Sequence, residues 1–213
     1  MPVPEPSLSR ATATKPRGRP GYDQQSVLKI AVDVFNERGY EATSMGVLAD
    51  ILGITKSAIY HHVPSKGDLL RLALDRALDR LEGILQESGA SEGLAADQLE
   101  YVLRRTIDVM VEELPYVTLL LRLRGNTEVE RDAMTRRRTF NARVTKLVKA
   151  ASAEGSVRSD IDPAIASRLL FGTVNSIVDW YRPGGGITAQ KLADHIVTMS
   201  FDGLRVSATE RIS

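Results

Sequence analysis

The chain contains no cysteine. That absence excludes disulfides, thiolate zinc sites, iron–sulfur clusters and thiol nucleophiles, and it fits a reducing compartment. Long apolar runs are missing too. The most apolar stretch, Tyr116 to Leu121, is closed by Arg122, well short of the roughly 18 residues a membrane helix needs. No membrane partner is expected. The first twenty residues have no apolar core, so no secretory signal is expected and a cytoplasmic protein is. Apolar residues nowhere alternate long enough to build a sheet. Neither sign of charge dominates: 28 Lys and Arg face 27 Asp and Glu, for a net charge of +1.

What is present is ordinary for a globular chain. Hydrophobic residues make up 43 % and charged residues 26 % of the 213 positions, so disorder throughout and long coiled coils are excluded. A chain of this length makes one or two domains with a sizeable core. The charge is divided unevenly. Residues 1–66 hold eight basic and six acidic side chains, a balance of +2, and the remainder holds 20 against 21, a balance of −1. A mildly basic front on a neutral back points to a nucleic-acid end joined to something else.

The periodicity is helical throughout. Val27, Ile30, Ala31, Val34 and Phe35 form the stripe of a first helix, with Asp23 as N-cap and Gly39 just beyond its end. A short helix follows over about 44–52, broken by Gly53. Thr55 caps another short helix that runs to about Val63, and Pro64 stops it. Ser65 caps a long Leu- and Ala-rich helix. Further helices are expected over about 97–114, 115–124, 128–154, 163–182 and 189–206, separated by Gly125-Asn126, Gly155-Ser156 and Pro183-Gly184-Gly185-Gly186. The fold class is therefore all-α: an N-terminal three-helix helix-turn-helix domain, then a helical ligand-binding and dimerisation domain, about nine helices in all.

The stretch from Thr43 to Leu70, TSMGVLADILGITKSAIYHHVPSKGDLL, carries the functional information. Two short helices around a glycine turn make a helix-turn-helix. Ala49 is small enough for close helix approach, Gly53 turns the chain, and Ile59 locks the second helix. Setting aside Ala58 and Ile59, that helix shows Thr55, Lys56, Ser57, Tyr60, His61 and His62: donors, acceptors and one aromatic, without an acid. Such a face suits base edges in the major groove, although any short surface helix shows a polar face. His61 and His62 diverge by about 100° on a helix and do not chelate one ion readily, so neither a metal nor another cofactor is read here. No nucleotide loop or Ser/His/Asp arrangement appears, and the chain is not read as an enzyme.

With FNERGYEATSM at the end of the first helix, LADILGITKSAIYHHV, and PSKGDLL opening the fourth, residues 20–75 resemble the tetracycline-repressor (TetR) family of bacterial regulators. One departure is Val63, where the family commonly carries an aromatic. The resemblance implies a one-component, DNA-binding transcriptional regulator, most simply a repressor released from a palindromic operator by a small-molecule effector. It assigns DNA contacts to Thr43, Thr55, Lys56, Ser57, Tyr60, His61 and Lys66, with Thr43 and Lys66 on phosphates. It divides the chain into a flexible basic arm (1–19), a helix-turn-helix domain (20–66) and an effector-binding and dimerisation domain (67–213). The alternative is an all-helical architectural protein that binds DNA without sequence choice.

The arm KPRGRPG carries Arg17 and Arg19, which fit the narrow minor groove of A·T-rich DNA; a solvated tail is the plain alternative. In the back half, Leu169, Gly172, Ser176 and Trp180 on one helix, and Ile196 and Met199 on another, alternate small and large residues as a homodimer face would. Met110, Leu119, Arg122, Phe140, Phe171 and Asn175 are the candidates for an effector pocket, against a reading as ordinary core. The ending DWYRPGGGIT is similar to TetR-type regulators of actinobacterial catabolism that sense acyl-coenzyme A thioesters. That likeness implies an apolar pocket with an arginine rim, for which Arg122, Arg124 and Arg136 to Arg138 are the available guanidiniums.

Overall fold

The computed structural model describes residues 22–204. Within them the chain is all-helical. The elements are α1 (Gln24–Arg38), α2 (Met45–Leu52), α3 (Lys56–His62), α4 (Lys66–Ile84), α5 (Ala95–Glu112), α6 (Leu114–Leu121), α7 (Glu128–Ala153), α8 (Pro163–Asn175), α9 (Ile177–Trp180) and α10 (Ala189–Leu204). One 3₁₀ turn, Ser88–Ala90, lies between α4 and α5. The single helix expected over 163–182 is broken at Ser176, where α8 ends and α9 begins. Taken as one interrupted helix, α8 and α9 bring the described α-helices to nine, as expected.

The helix starts are fixed by side chains read from the sequence. Asp23 accepts from the Ser26 amide, Ser44 from Val47, Thr55 from Ala58 and Ser65 from Asp68. Each satisfies one of the amides left unpaired at a helix start. Thr127 and Glu130 form a reciprocal capping box at α7. Gly53 takes φ 65° at the end of α2 and hands its amide to Ala49 and Asp50. A side chain here would be strained, because left-handed backbone costs L-residues about 1–2 kcal/mol.

The three short helices pack on one another through Val27, Ala31, Leu48, Ala49, Ile59 and Val63, all almost fully buried. Here α4 is the link to the rest. Its 19 residues span about 28 Å at 1.5 Å per residue. Leu69 and Leu70 lie buried in its first turns, and Leu78, Leu81 and Ile84 are buried towards its end. The boundary expected at residue 66 thus falls in the first turn of a continuous helix.

Ion pairs hold α4 to its neighbours. Arg136 on α7 reaches Asp75 (2.8 Å), Asp79 (2.6 Å) and Glu82 (2.7 Å) on α4. Arg76 makes a two-pronged contact to Glu113, at 2.7 and 3.1 Å, and its guanidinium stacks 4.4 Å over the Tyr116 ring. Both guanidiniums are held above their ordinary pKa, in each case mainly by the hydrogen bond to a glutamate, Glu82 for Arg136 and Glu113 for Arg76. No helix among the described residues is long and apolar enough to cross a membrane.

Candidate functional site

The exposed face of α3 is built from the inside out. Ile59 is fully buried and fixes the helix, while Thr55, Lys56, Ser57, Tyr60 and His61 are exposed and His62 half-buried. Because 100° separates successive residues, burying Ile59 turns Tyr60 outward, to 44 % exposure. The Thr55 oxygen accepts the Ala58 amide at 3.1 Å, which leaves its hydroxyl hydrogen free to donate. The carbonyl of His62 accepts from Gln24 Nε2 at 3.2 Å, tying the end of α3 to the start of α1. The sequence expectation for this face and the geometry agree: one helix, one side, no acid.

Two residues assigned to phosphates are occupied elsewhere. Thr43 is 1 % exposed and its hydroxyl donates to the Gly39 carbonyl at 2.9 Å. It belongs to the turn between α1 and α2, and the exposed residue at the start of α2 is its neighbour Ser44. Ser44 and Thr43 are adjacent hydroxyls in the sequence, and only packing separates the cap from the buried one. Lys66 is half-buried. Its ammonium donates to the Tyr40 carbonyl at 3.0 Å and stands 4.1 Å from the centre of the Tyr40 ring. Both contacts face inward and brace the turn before α2. Burial, with Glu41 and Glu130 nearby, holds the Tyr40 phenol above its usual pKa. Arg17 and Arg19 lie outside the described residues.

The expected pocket residues separate into two groups. Met110 is 1 % exposed and part of the core, and Phe140 is buried against Phe171, ring centres 6.0 Å apart. Neither offers a surface to a ligand in this arrangement. Asn175, Phe171 and Arg122 line open space instead. A cavity of about 440 Å³ is bounded by Leu121, Arg122, Arg137, Asn141, Asn175 and Asp179, among others. A second, of about 490 Å³, adjoins it through Asn141, Gly172 and Asn175 and extends past Phe171 to Arg138 and Arg168. Together they form a groove between α7 and α8–α9 with four arginines to one aspartate. Leu119 lines a different cavity, of about 390 Å³, between the end of α1, the turn after it, and the α6–α7 link.

The arginine run on α7 is split by helical geometry. Arg136 turns to the acids of α4, Arg137 donates inward to the Leu120 carbonyl at 3.1 Å, and Arg138 donates to Thr135. Burial, and then the charge of Arg138, pulls the Arg137 guanidinium below its ordinary pKa. A desolvated cation with no carboxylate in ion-pair range among the described residues is suited to an anion brought from outside. Sequence reading treated the three as one cluster; only a register relative to α4 and α6 sorts them.

A third surface lies on α8, α9 and α10. Ile165, Leu169, Trp180 and Met199 are half or more exposed, with Gly172 exposed among them and Ser176 half-buried. Ser176 accepts from the Trp180 indole at 3.2 Å and donates to Thr173 at 2.7 Å. Ile196, expected on the same face, is 5 % exposed and belongs to this chain's own core. Leu192, Ala193, Ile196, Val197 and Phe201 are buried along α10, whereas Met199 is exposed. An apolar recess of about 240 Å³ sits between Leu169, Leu170 and Met199.

Residues 27–73 match the family model of bacterial regulatory proteins, tetR family, and residues 92–204 match that of the tetracyclin repressor-like C-terminal domain. The HTH-type transcriptional repressor KstR2 of Rhodococcus jostii is 31 % identical over 186 residues, covering 84 % of this chain and 89 % of the relative. A solved member of the TetR transcriptional regulator family from Streptomyces coelicolor A3 is 51 % identical, with TM-score 0.80 over 92 % of this chain and 94 % of the other. AibR, solved in complex with isovaleryl coenzyme A and operator DNA, aligns with TM-score 0.71 and 25 % identity over 84 % of this chain and 97 % of its own.

Proposed function

This chain belongs to the tetracycline-repressor family of DNA-binding transcriptional regulators, and on that premise we propose that it is a cytoplasmic, non-enzymatic repressor whose operator is palindromic and whose effector is an acyl-coenzyme A thioester. The observation that carries the DNA half is the acid-free face of α3, presented outward by the burial of Ile59. Tyr60, His61, Lys56, Ser57 and Thr55 meet the duplex in this reading, with Ser44 in place of Thr43 at the phosphate beside α2. Residues 1–19 act as the basic arm, 20–66 as the DNA-binding head and 67–213 as the effector and dimer portion.

Regulators of this family dimerise, and a two-fold dimer reads a two-fold site. The exposed apolar residues of α8 to α10 supply the surface for a second copy. The effector reading rests on the α7/α8 groove, where Arg122, Arg137, Arg138 and Arg168 adjoin the apolar side chains of Phe171 and Val178. A thioester of coenzyme A brings phosphates for the first and an acyl chain for the second. To release DNA it must bind the free conformation more tightly than the DNA-bound one; equal affinity for both shifts nothing.

Footprinting of the DNA flanking the gene tests the reading. Protection of one short, two-fold symmetric stretch is expected, whereas continuous coating of the duplex would favour an architectural protein. Removing residues 1–19 is expected to weaken operator binding and to lower the slope of log affinity against log salt. Each phosphate contact contributes about 0.9 to that slope in duplex DNA, so losing contacts by Arg17 and Arg19 on both arms of a dimer lowers it by about 3.6. An identical slope would remove the arm from the interface.

A further inference from the structure

Arg122 stands in two places at once. It lines the α7/α8 groove beside Arg137 and Asn141, and it lines the cavity between α1 and the α6–α7 link beside Asn36 and Leu119. Its Nη1 donates to the backbone carbonyl of Asn36, near the end of α1, at 3.2 Å. No carboxylate lies within ion-pair distance of it among the described residues. A guanidinium has five N–H donors, and this contact uses one.

Asn36 is the hinge on the other side. Its Nδ2 donates to the Pro115 carbonyl at 2.8 Å, so α1 is tied to the first turn of α6 through its side chain and to the residue that ends α6 through its backbone. The amide oxygen of Asn36 is buried with no partner among the described residues. An unpaired buried acceptor penalises the arrangement that contains it, so a shift of this joint gives up little. The neighbouring cavity of about 390 Å³ leaves room for such a shift without repacking the core.

We propose that Arg122 is the relay between effector and DNA-binding head: an anionic group entering the α7/α8 groove draws the Arg122 side chain onto itself and off the Asn36 carbonyl, freeing the end of α1 from α6. Charge-assisted contact to a phosphate is stronger than the contact to a neutral carbonyl, and this fixes the direction of the exchange. Once α1 is released at this end, the helices that carry Tyr60 move relative to the core, and the spacing between two heads changes. The relay rests on the effector reading of the groove given above, and it makes Arg122 a positioning residue for DNA binding as well as a ligand contact.

The test follows amide hydrogen exchange at residues 35–39 in the full chain, with calorimetry on coenzyme A and isovaleryl coenzyme A as probes. Without ligand, Arg122→Gln is expected to speed exchange at residues 35–39 about threefold, matching loss of one weak contact. Arg143→Gln, which removes the same charge from an exposed site of α7 outside the groove, leaves it unchanged. When either probe binds the wild type, exchange at residues 35–39 rises; in Arg122→Gln the probe binds more weakly and the further rise is absent. Thermal melting of Arg122→Gln is expected to match the wild type, as its exposed side chain supports no core. Equal exchange in wild type and Arg122→Gln without ligand overturns the relay. Probe binding that leaves residues 35–39 unaffected also overturns it, while the effector reading stands. Absence of binding by both probes overturns the effector reading and the relay together.

Discussion

Replacing Tyr60 by alanine is expected to reduce operator affinity by at least about thirtyfold while leaving fold and dimer unchanged. The size follows from symmetry. A side chain that reads a base or positions the helix is worth about 1–3 kcal/mol, and a two-fold complex loses it twice. The total of about 2–6 kcal/mol corresponds to a factor between about thirty and more than ten thousand. Preservation of the fold follows from burial. Tyr60 is 44 % exposed and Ile59 beside it is fully buried. Truncating Ile59 would cost about 2–5 kcal/mol of stability and would abolish binding by loosening the head. Truncating Tyr60 removes little but contact with DNA. A gel shift reads the affinity, and circular dichroism with sedimentation separates the two routes to its loss. Unchanged affinity of Tyr60→Ala would remove α3 from the groove.

The N-terminal half was legible because its signals are local. Asp23, Ser44, Thr55 and Ser65 each cap a helix by accepting from an amide three residues ahead, and such bonds depend on nothing distant. Gly53 is likewise a local necessity. The exposed face of α3 follows from period alone once Ile59 is placed inside. Expectation and structure part where packing decides. Thr43 and Ser44 look equivalent until the turn at Gly39 takes the Thr43 hydroxyl. Lys66 reads as a free cation until Tyr40, twenty-six residues earlier, folds beneath it. Met110 and Phe140 have the composition of a pocket wall and the burial of core, and hydrophobicity does not distinguish the two. Ile196 and Met199, three residues apart on α10, share an apolar character but not a side: the first is 5 % exposed and the second 66 %.

The dimer surface yields the second large effect. Leu169→Glu is expected to give a folded monomer whose operator affinity is lower by about a hundred- to ten-thousandfold. Leu169 is 64 % exposed, and Met199 across the apolar recess is 66 % exposed, so in a single chain the substitution buries no charge and opens no cavity. In a two-fold dimer the same change is made on both sides of one self-complementary patch. Two carboxylates then lose water against a patch whose large apolar members, Ile165, Trp180 and Met199, offer them no charge. Burying an unpaired charge costs several kcal/mol. DNA affinity falls because linkage is lost while each head stays intact: joining two heads makes the second contact intramolecular, an advantage of about 10²–10⁴ without any new contact. Sedimentation should show one species at the monomer mass with helicity preserved, and residual DNA binding should lose its preference for two half-sites over one. A Leu169→Glu protein that remains dimeric would place the interface elsewhere on the molecule. Both heads would then have to reach the duplex from a different two-fold axis.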